Sequence, residues 1–203
     1  MHVLGYFIDT ASAALRAFLD RQRTDRLRRV AEMGDRLSAL GCAIDVTPIL
    51  GAGARGQSVG RPQIAAALVQ AGHVRTPDEA FERYLAFGGA AYVPRAGAAP
   101  ADVVSLVHDA GGIASLAHPG VTVLDHLIAP LAAAGLDAIE AGHSDHDAAT
   151  EARYRALAAD LGLLVTGGSD FHGERGHRTS RLGVVSLPAE DFEKLSRAAD
   201  RRR

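Results

Sequence analysis

Ile113-Ala114-Ser115-Leu116-Ala117-His118-Pro119-Gly120 is a short apolar run that ends on an imidazole and a turn. It follows a helical stretch over 100–110, which Pro100 starts and Gly111-Gly112 stops. The same rhythm repeats downstream. A helix expected over 124–134 leads through Gly135 to a strand over 136–141. A helix over 147–161 leads through Gly162 to a strand over 163–167, and a last strand is expected over 182–187 before a helix from about Pro188. Alternating helices and short apolar strands specify an α/β fold, a parallel sheet or barrel with helices outside.

Upstream the pattern is different. Residues 2–8 read as a strand with no turn or cap before it, ending at Asp9. Leu15, Phe18, Leu19, Leu27, Val30, Met33, Leu37 and Leu40 recur at helical spacing up to Gly41, with arginines and interleaved acids on the other face, which reads as a solvated surface. Gly51, Gly53, Gly56 and Gly60 mark a loop. Arg61-Pro62 then starts a helix to about Ala71, and Thr76-Pro77-Asp78-Glu79 starts another to about Leu85 or Ala86. The chain thus divides into a strand at 1–9, a helical insertion at 10–95 and an α/β part at 96–203.

The composition closes several classes. The chain has 203 residues, 47% hydrophobic and 23% charged, with a formal net charge of −2. That is enough apolar material for a core and too little net charge for disorder or an extended nucleic-acid surface. Cys42, the single cysteine, removes a disulfide framework and any cysteine-based zinc site. No apolar run reaches the ~18 residues of a membrane span, and residues 1–8 lack the form of a signal peptide, so a cytoplasmic protein is expected.

Chemistry gathers after the strands. His118 follows the first; His143, Ser144, Asp145 and His146 follow the second; Ser169, Asp170, Phe171 and His172 follow the third. In parallel α/β folds the active site collects at the carboxyl ends of the strands. Each group alone has a bland reading: a turn at His118, a helix cap with a surface histidine at Asp170–His172, caps of helix 147–161 at His143 and His146. Three in succession outweigh it, and imidazole with carboxylate suits zinc, manganese or iron. His73, His108 and His126 read as structural.

Six segments, in order, then carry a family resemblance: His2 before Val3-Leu4-Gly5-Tyr6-Phe7-Ile8-Asp9; Gly60-Arg61-Pro62; Ala91-Tyr92-Val93-Pro94-Arg95; Ala117-His118-Pro119-Gly120; Gly135-Leu136-Asp137-Ala138-Ile139-Glu140; and Thr166-Gly167-Gly168-Ser169-Asp170-Phe171-His172-Gly173. Together they resemble the stand-alone phosphoesterases of the polymerase-and-histidinol-phosphatase (PHP) family, which include 3′,5′-nucleotide bisphosphate phosphatases and 5′-to-3′ exoribonucleases acting on short RNA. The resemblance implies a distorted seven-stranded β/α barrel, of which this chain holds the carboxy-terminal two-thirds, with residues 10–95 as the helical insertion. It implies two or three divalent ions of manganese, iron or zinc. His2, His118, Asp170 and His172 match metal ligands, and Arg61 matches a phosphate clamp, for which a guanidinium fork is suited. His143, His146, Arg95 and His177 are site-lining candidates. The implied nucleophile is a metal-bound water with no separate protein base, and the implied substrate is a small phosphorylated nucleotide or the 5′ end of short RNA.

Two departures bear on this expectation. Gln63 stands where relatives commonly have histidine after Arg-Pro. The family's leading His-x-His strand, second histidine motif and bridging glutamate are not in the chain, about half of the ligand set. From this Met1 is expected to be an internal position of a longer product, with raw sheet edges and an impaired metal site. The competing expectation is a non-catalytic fragment or degenerate module. Histidinol-phosphate hydrolysis is disfavoured by the helical insertion and its Gly-Arg-Pro. Oligomeric state is open.

Overall fold

The computed structural model describes residues 1–171 and 182–202. His172 and His177 lie outside the described residues. The chain forms two units, Met1–Arg16 with Ala98–Arg203, and Ala17–Gly97.

The first unit is built on a four-stranded sheet in the order β1 (Val3–Tyr6), β2 (Ile113–Leu116), β3 (Ala138–His143), β4 (Leu164–Gly168). β2, β3 and β4 are parallel, as their helical crossovers require. β1 stands apart from that parallel set: it runs antiparallel to β2, with Val3 opposite Leu116 and Tyr6 opposite Ile113. Every residue of β2 and β3 is buried, the pattern of strands covered on both faces. On one face, Leu116, Ile139 and Ala141 pack with Val104 and Val107 of α5 (Pro100–Asp109), Ile128 and Leu131 of α7 (Ile128–Ala133) and Tyr154 of α8 (Ala148–Asp160). On the other, Ile113 and Ala138 meet Leu195 and Ala199 of α9 (Ala189–Asp200). The ladder between β3 and β4 slips between Glu140 and Gly142. Gly142 and Gly167 face each other there, and a Cβ on Gly167 would stand 3.1 Å from the Gly142 carbonyl oxygen.

The second unit is helical. α1 (Ala13–Ala39) begins in the first unit and stops where Gly41 turns left-handed at φ +75°. α2 (Thr47–Ala54), α3 (Arg61–Gln70) and α4 (Pro77–Ala80), which runs into a π-turn at Phe81–Leu85, surround Val30, Met33, Leu37, Ile64, Leu68 and Leu85.

Three local expectations are corrected. The glycine-rich stretch from Gly51 is helical as far as Ala54 because Gly53 lets the backbone pack close: a Cβ there would stand 2.6 Å from Leu27. The strand expected over 182–187 does not form; Gly183 turns at φ +80° instead. The helix expected over 124–134 divides into a 3₁₀ turn at Asp125–Leu127 and α7, and a separate short helix, α6 (Pro119–Thr122), precedes it. Among the described residues, no helix is long and apolar enough to cross a membrane.

Candidate functional site

The direction of β1 decides what lies at the carboxyl rim of β2. Because β1 is antiparallel, its beginning and not its end is at that rim, so His2 stands beside His118 and Asp9 is carried to the opposite end. The carbonyl of His2 accepts from the Ala117 N–H at 3.1 Å. The imidazoles meet with His2 Nδ1 and His118 Nε2 at 3.3 Å. Two imidazole nitrogens on one tetrahedral ion, each bonded at about 2.0–2.1 Å, stand about 3.3 Å apart. The spacing therefore suits either a hydrogen bond or the edge of a shared coordination sphere.

His118 is held in an unusual backbone. Its φ of 30° and ψ of 58° are left-handed, a region costly for a residue with a Cβ. Glu140, only 5% exposed, compensates: its Oε2 accepts the His118 N–H at 2.8 Å. Asp170 is left-handed too, at φ 49°, where β4 gives way to the following loop.

The histidines after β3 have separable tasks. His143 Nδ1 accepts from the Asp145 N–H at 3.0 Å, so in the neutral ring the proton sits on Nε2, 3.6 Å from Asp170 Oδ2. Burial, with repulsion from His146 and His118, holds His143 below the ordinary imidazole value; Asp145 and Asp170 act the other way and are outweighed. It is thus neutral at pH 7. His146 Nδ1 donates to the Ala141 carbonyl at 2.8 Å, which leaves Nε2 as a lone pair over Gly120. Rings follow one another in a file, His2 to His118 at 5.3 Å, His118 to His143 at 5.3 Å, His143 to His146 at 5.2 Å and His146 to Tyr154 at 5.4 Å. At its far end, burial and a bond to Asp125 push the Tyr154 hydroxyl up to about 12.

The donor chemistry fits a divalent transition ion. His118 Nδ1 and His146 Nε2 are buried with no hydrogen-bond partner among the described residues, in a rim rich in imidazole and carboxylate. Among the described residues, however, no group of three or more His, Cys, Asp or Glu side chains could by itself hold an ion. The remaining candidates belong to the helical unit. The Arg61 guanidinium stands over the rings of Phe81 and Tyr92, at 5.5 and 5.7 Å, and donates to the Leu85 carbonyl. Gln63 accepts from the Gly60 N–H and caps α3. Arg95 donates to Gln22 Oε1. Sequence reading missed Glu140 as a site-shaping residue; an acid inside an otherwise apolar strand was the available signal.

No family model matches the chain. Individual relatives do. The 3′,5′-nucleoside bisphosphate phosphatase of Chromobacterium violaceum is 34% identical over 177 residues, 85% of this chain and 62% of its own length. The 5′-3′ exoribonuclease Rnm of Salmonella typhimurium is 32% identical over 85% of this chain and 60% of its own length. The phosphoribosyl 1,2-cyclic phosphate 1,2-diphosphodiesterase of Eggerthella lenta is 32% identical over 87% and 68%. The chain thus spans about three-fifths of the length of the first two relatives. A crystal structure from Bifidobacterium adolescentis, described as a candidate metal-dependent phosphoesterase, superposes with a TM-score of 0.76 at 30% identity, covering 96% of this chain and 70% of that one. An amidohydrolase from Chromobacterium violaceum with bound sulfate and no metal gives 0.70 at 32% identity, covering 99% and 71%.

Proposed function

This chain belongs to the PHP family of metal-dependent phosphoesterases, and from that premise we propose that its histidine-rich rim is the metal-binding part of a site hydrolysing phosphate esters of small nucleotides. The substrate class is a 3′,5′-bisphosphate or the 5′ end of short RNA, in keeping with the names of the bisphosphate phosphatase and the exoribonuclease among its relatives. The single observation that carries the reading is the His2–His118 pair, brought from opposite ends of antiparallel strands to 3.3 Å.

His2, His118 and Asp170, with His172 beyond the described residues, would serve as ligands shared among the two or three ions of a cluster; manganese, iron and zinc all suit such donors. When bound, the ion supplies Lewis acidity at the phosphoryl oxygens and activation of water at neutral pH. The chain's own residues prepare the place. Glu140 fixes the His118 backbone, neutral His143 aims its Nε2–H at Asp170, and Arg61 would grip phosphate oxygens with its fork. We read the sheet as part of a distorted β/α barrel, with residues 10–95 inserted and the whole protein cytoplasmic.

The test is metal analysis and turnover of a nucleoside 3′,5′-bisphosphate and a 5′-phosphorylated pentaribonucleotide, each after loading with manganese, iron or zinc. Asp170→Asn should lower kcat/KM about 100-fold or more and reduce bound metal. Unchanged turnover in that variant refutes the ligand assignment. A second reading, a non-catalytic module, draws on the lack of a three-donor group among the described residues. Neither metal uptake nor turnover in the parent protein would establish it.

A further inference from the structure

The helical unit carries charge that its own acids do not neutralise. α1 presents Arg28, Arg29 and Arg36 to consecutive carbonyls: Arg36 donates to Tyr92, Arg29 to Val93 and Arg28 to Pro94. Arg28 is balanced by Asp25 and Glu32, and Arg36 by Glu32. Arg29, Arg61 and Arg95 form no direct ion pair among the described residues, Asp25 acting on Arg29 only from a distance. Arg29 spends its Nε on Val93, Arg61 one nitrogen on Leu85, and Arg95 one nitrogen on Gln22. Burial lowers the Arg29 pKa; Asp25 opposes it, and Arg61 and Arg95 add to it by repulsion, so these cations sense one another.

Beside them stands an aromatic surface that none of the described residues covers. Phe87 is 89% exposed, the most exposed large apolar side chain among the described residues. Its ring meets Tyr92 edge-on at 5.4 Å, and Tyr92 is the ring under Arg61. The turn that presents Phe87 is tight: a Cβ on Gly89 would stand 2.5 Å from the Tyr84 carbonyl oxygen, and Ala91 and Tyr92 N–H groups bond back to Tyr84 and Gly89. An exposed ring on a fixed turn next to unpaired guanidiniums is the combination that holds single-stranded nucleic acid, where bases stack on aromatic faces and cations track phosphates.

We propose that this face of the helical unit binds a short single-stranded nucleotide chain, with one base stacked on Phe87 and an adjoining phosphate held by Arg29, Arg61 and Arg95. It deepens the phosphoesterase reading and rests on it for the choice of RNA among polyanions. The patch is local, so it agrees with a net charge of −2.

The experiment is fluorescence anisotropy of the full chain with a 5′-labelled pentaribonucleotide in EDTA, where hydrolysis plays no part. Phe87→Ala should weaken binding roughly 5- to 150-fold, and Phe87→Trp should preserve it. Arg95→Gln, at an exposed site, should reduce the slope of log affinity against log salt by about 0.7; Arg29→Gln should do the same. Circular dichroism of Phe87→Ala should match the parent. Binding by Phe87→Ala within twofold of the parent overturns the proposal, as does a poly-glutamate peptide competing as well as the RNA. Phe87-dependent binding in a protein that hydrolyses nothing upholds this site and refutes only the phosphoesterase reading; hydrolysis without Phe87 dependence does the reverse.

Discussion

The two rims of the sheet each set histidine beside an acid. At the amino ends of β2 and β3, Asp137 accepts from His108 Nε2 and from the Ala114 N–H, both at 2.8 Å, and its other oxygen takes Arg202. At the carboxyl ends, His118 Nδ1 and His146 Nε2 are buried with no partner among the described residues. A buried polar atom without a partner costs about 1–3 kcal/mol, so a fold retains one where something else is to meet it. The same residue types thus make a fastening on one rim and a receptor on the other, and saturation tells them apart.

Substitution can break that contrast. Asp137→Ala strands His108 and the Ala114 N–H together and should cost about 3 kcal/mol in chemical denaturation. Metal uptake at the other rim should be unchanged; a parallel loss of uptake would erase the distinction. Glu140→Leu removes the acceptor that holds His118 in its left-handed backbone and should weaken metal binding roughly 10- to 100-fold in a competition titration. Glu140→Gln keeps a carbonyl for the His118 N–H and should recover most of it. Equal loss in both variants would mean that charge, not backbone fixation, is what Glu140 provides.

The smallest effect is expected away from both rims. Burial alone would raise the Asp191 pKa, but Arg155 at 2.7 Å and Lys194 at 3.3 Å outweigh it and hold it below the ordinary carboxylate value. A depressed folded-state pKa gives stability that is full above the unfolded value of about 3.9 and is lost as pH falls through the folded value. Asp191→Asn should therefore melt below the parent at pH 7, and the gap should close under acid, once the pH has fallen below the ordinary carboxylate range. A gap that persists there would assign the loss to packing between α8 and α9.

How much of this could be read from residues alone varies by element. β2, β3 and β4 were legible because each apolar run is bounded by glycine and followed by polar chemistry. The direction of β1 was not, since side-chain periodicity is the same whichever way a strand runs, and that direction is what delivers His2. α2 was masked by Gly51 and Gly53, of which Gly53 serves close packing against Leu27. Glu140 was hidden because sequence does not distinguish an acid that braces a neighbour's N–H from a stray charge. Phe87 was indistinguishable from a core aromatic until its exposure was known. His118 and Asp170 were visible as residue types, and their left-handed backbones were not.

The pairing of Val3–Tyr6 with Ile113–Leu116 has a consequence during synthesis. On a ribosome adding about 5–20 residues per second, β1 emerges roughly 5–20 s before its partner exists. For that interval the edge of β1 that β2 will cover is unpaired, while the helices between the two strands can already condense. A nascent-chain arrest placed between residues 40 and 110 would catch β1 in its most sticky state, and a chaperone that shields early strands would do most of its work there.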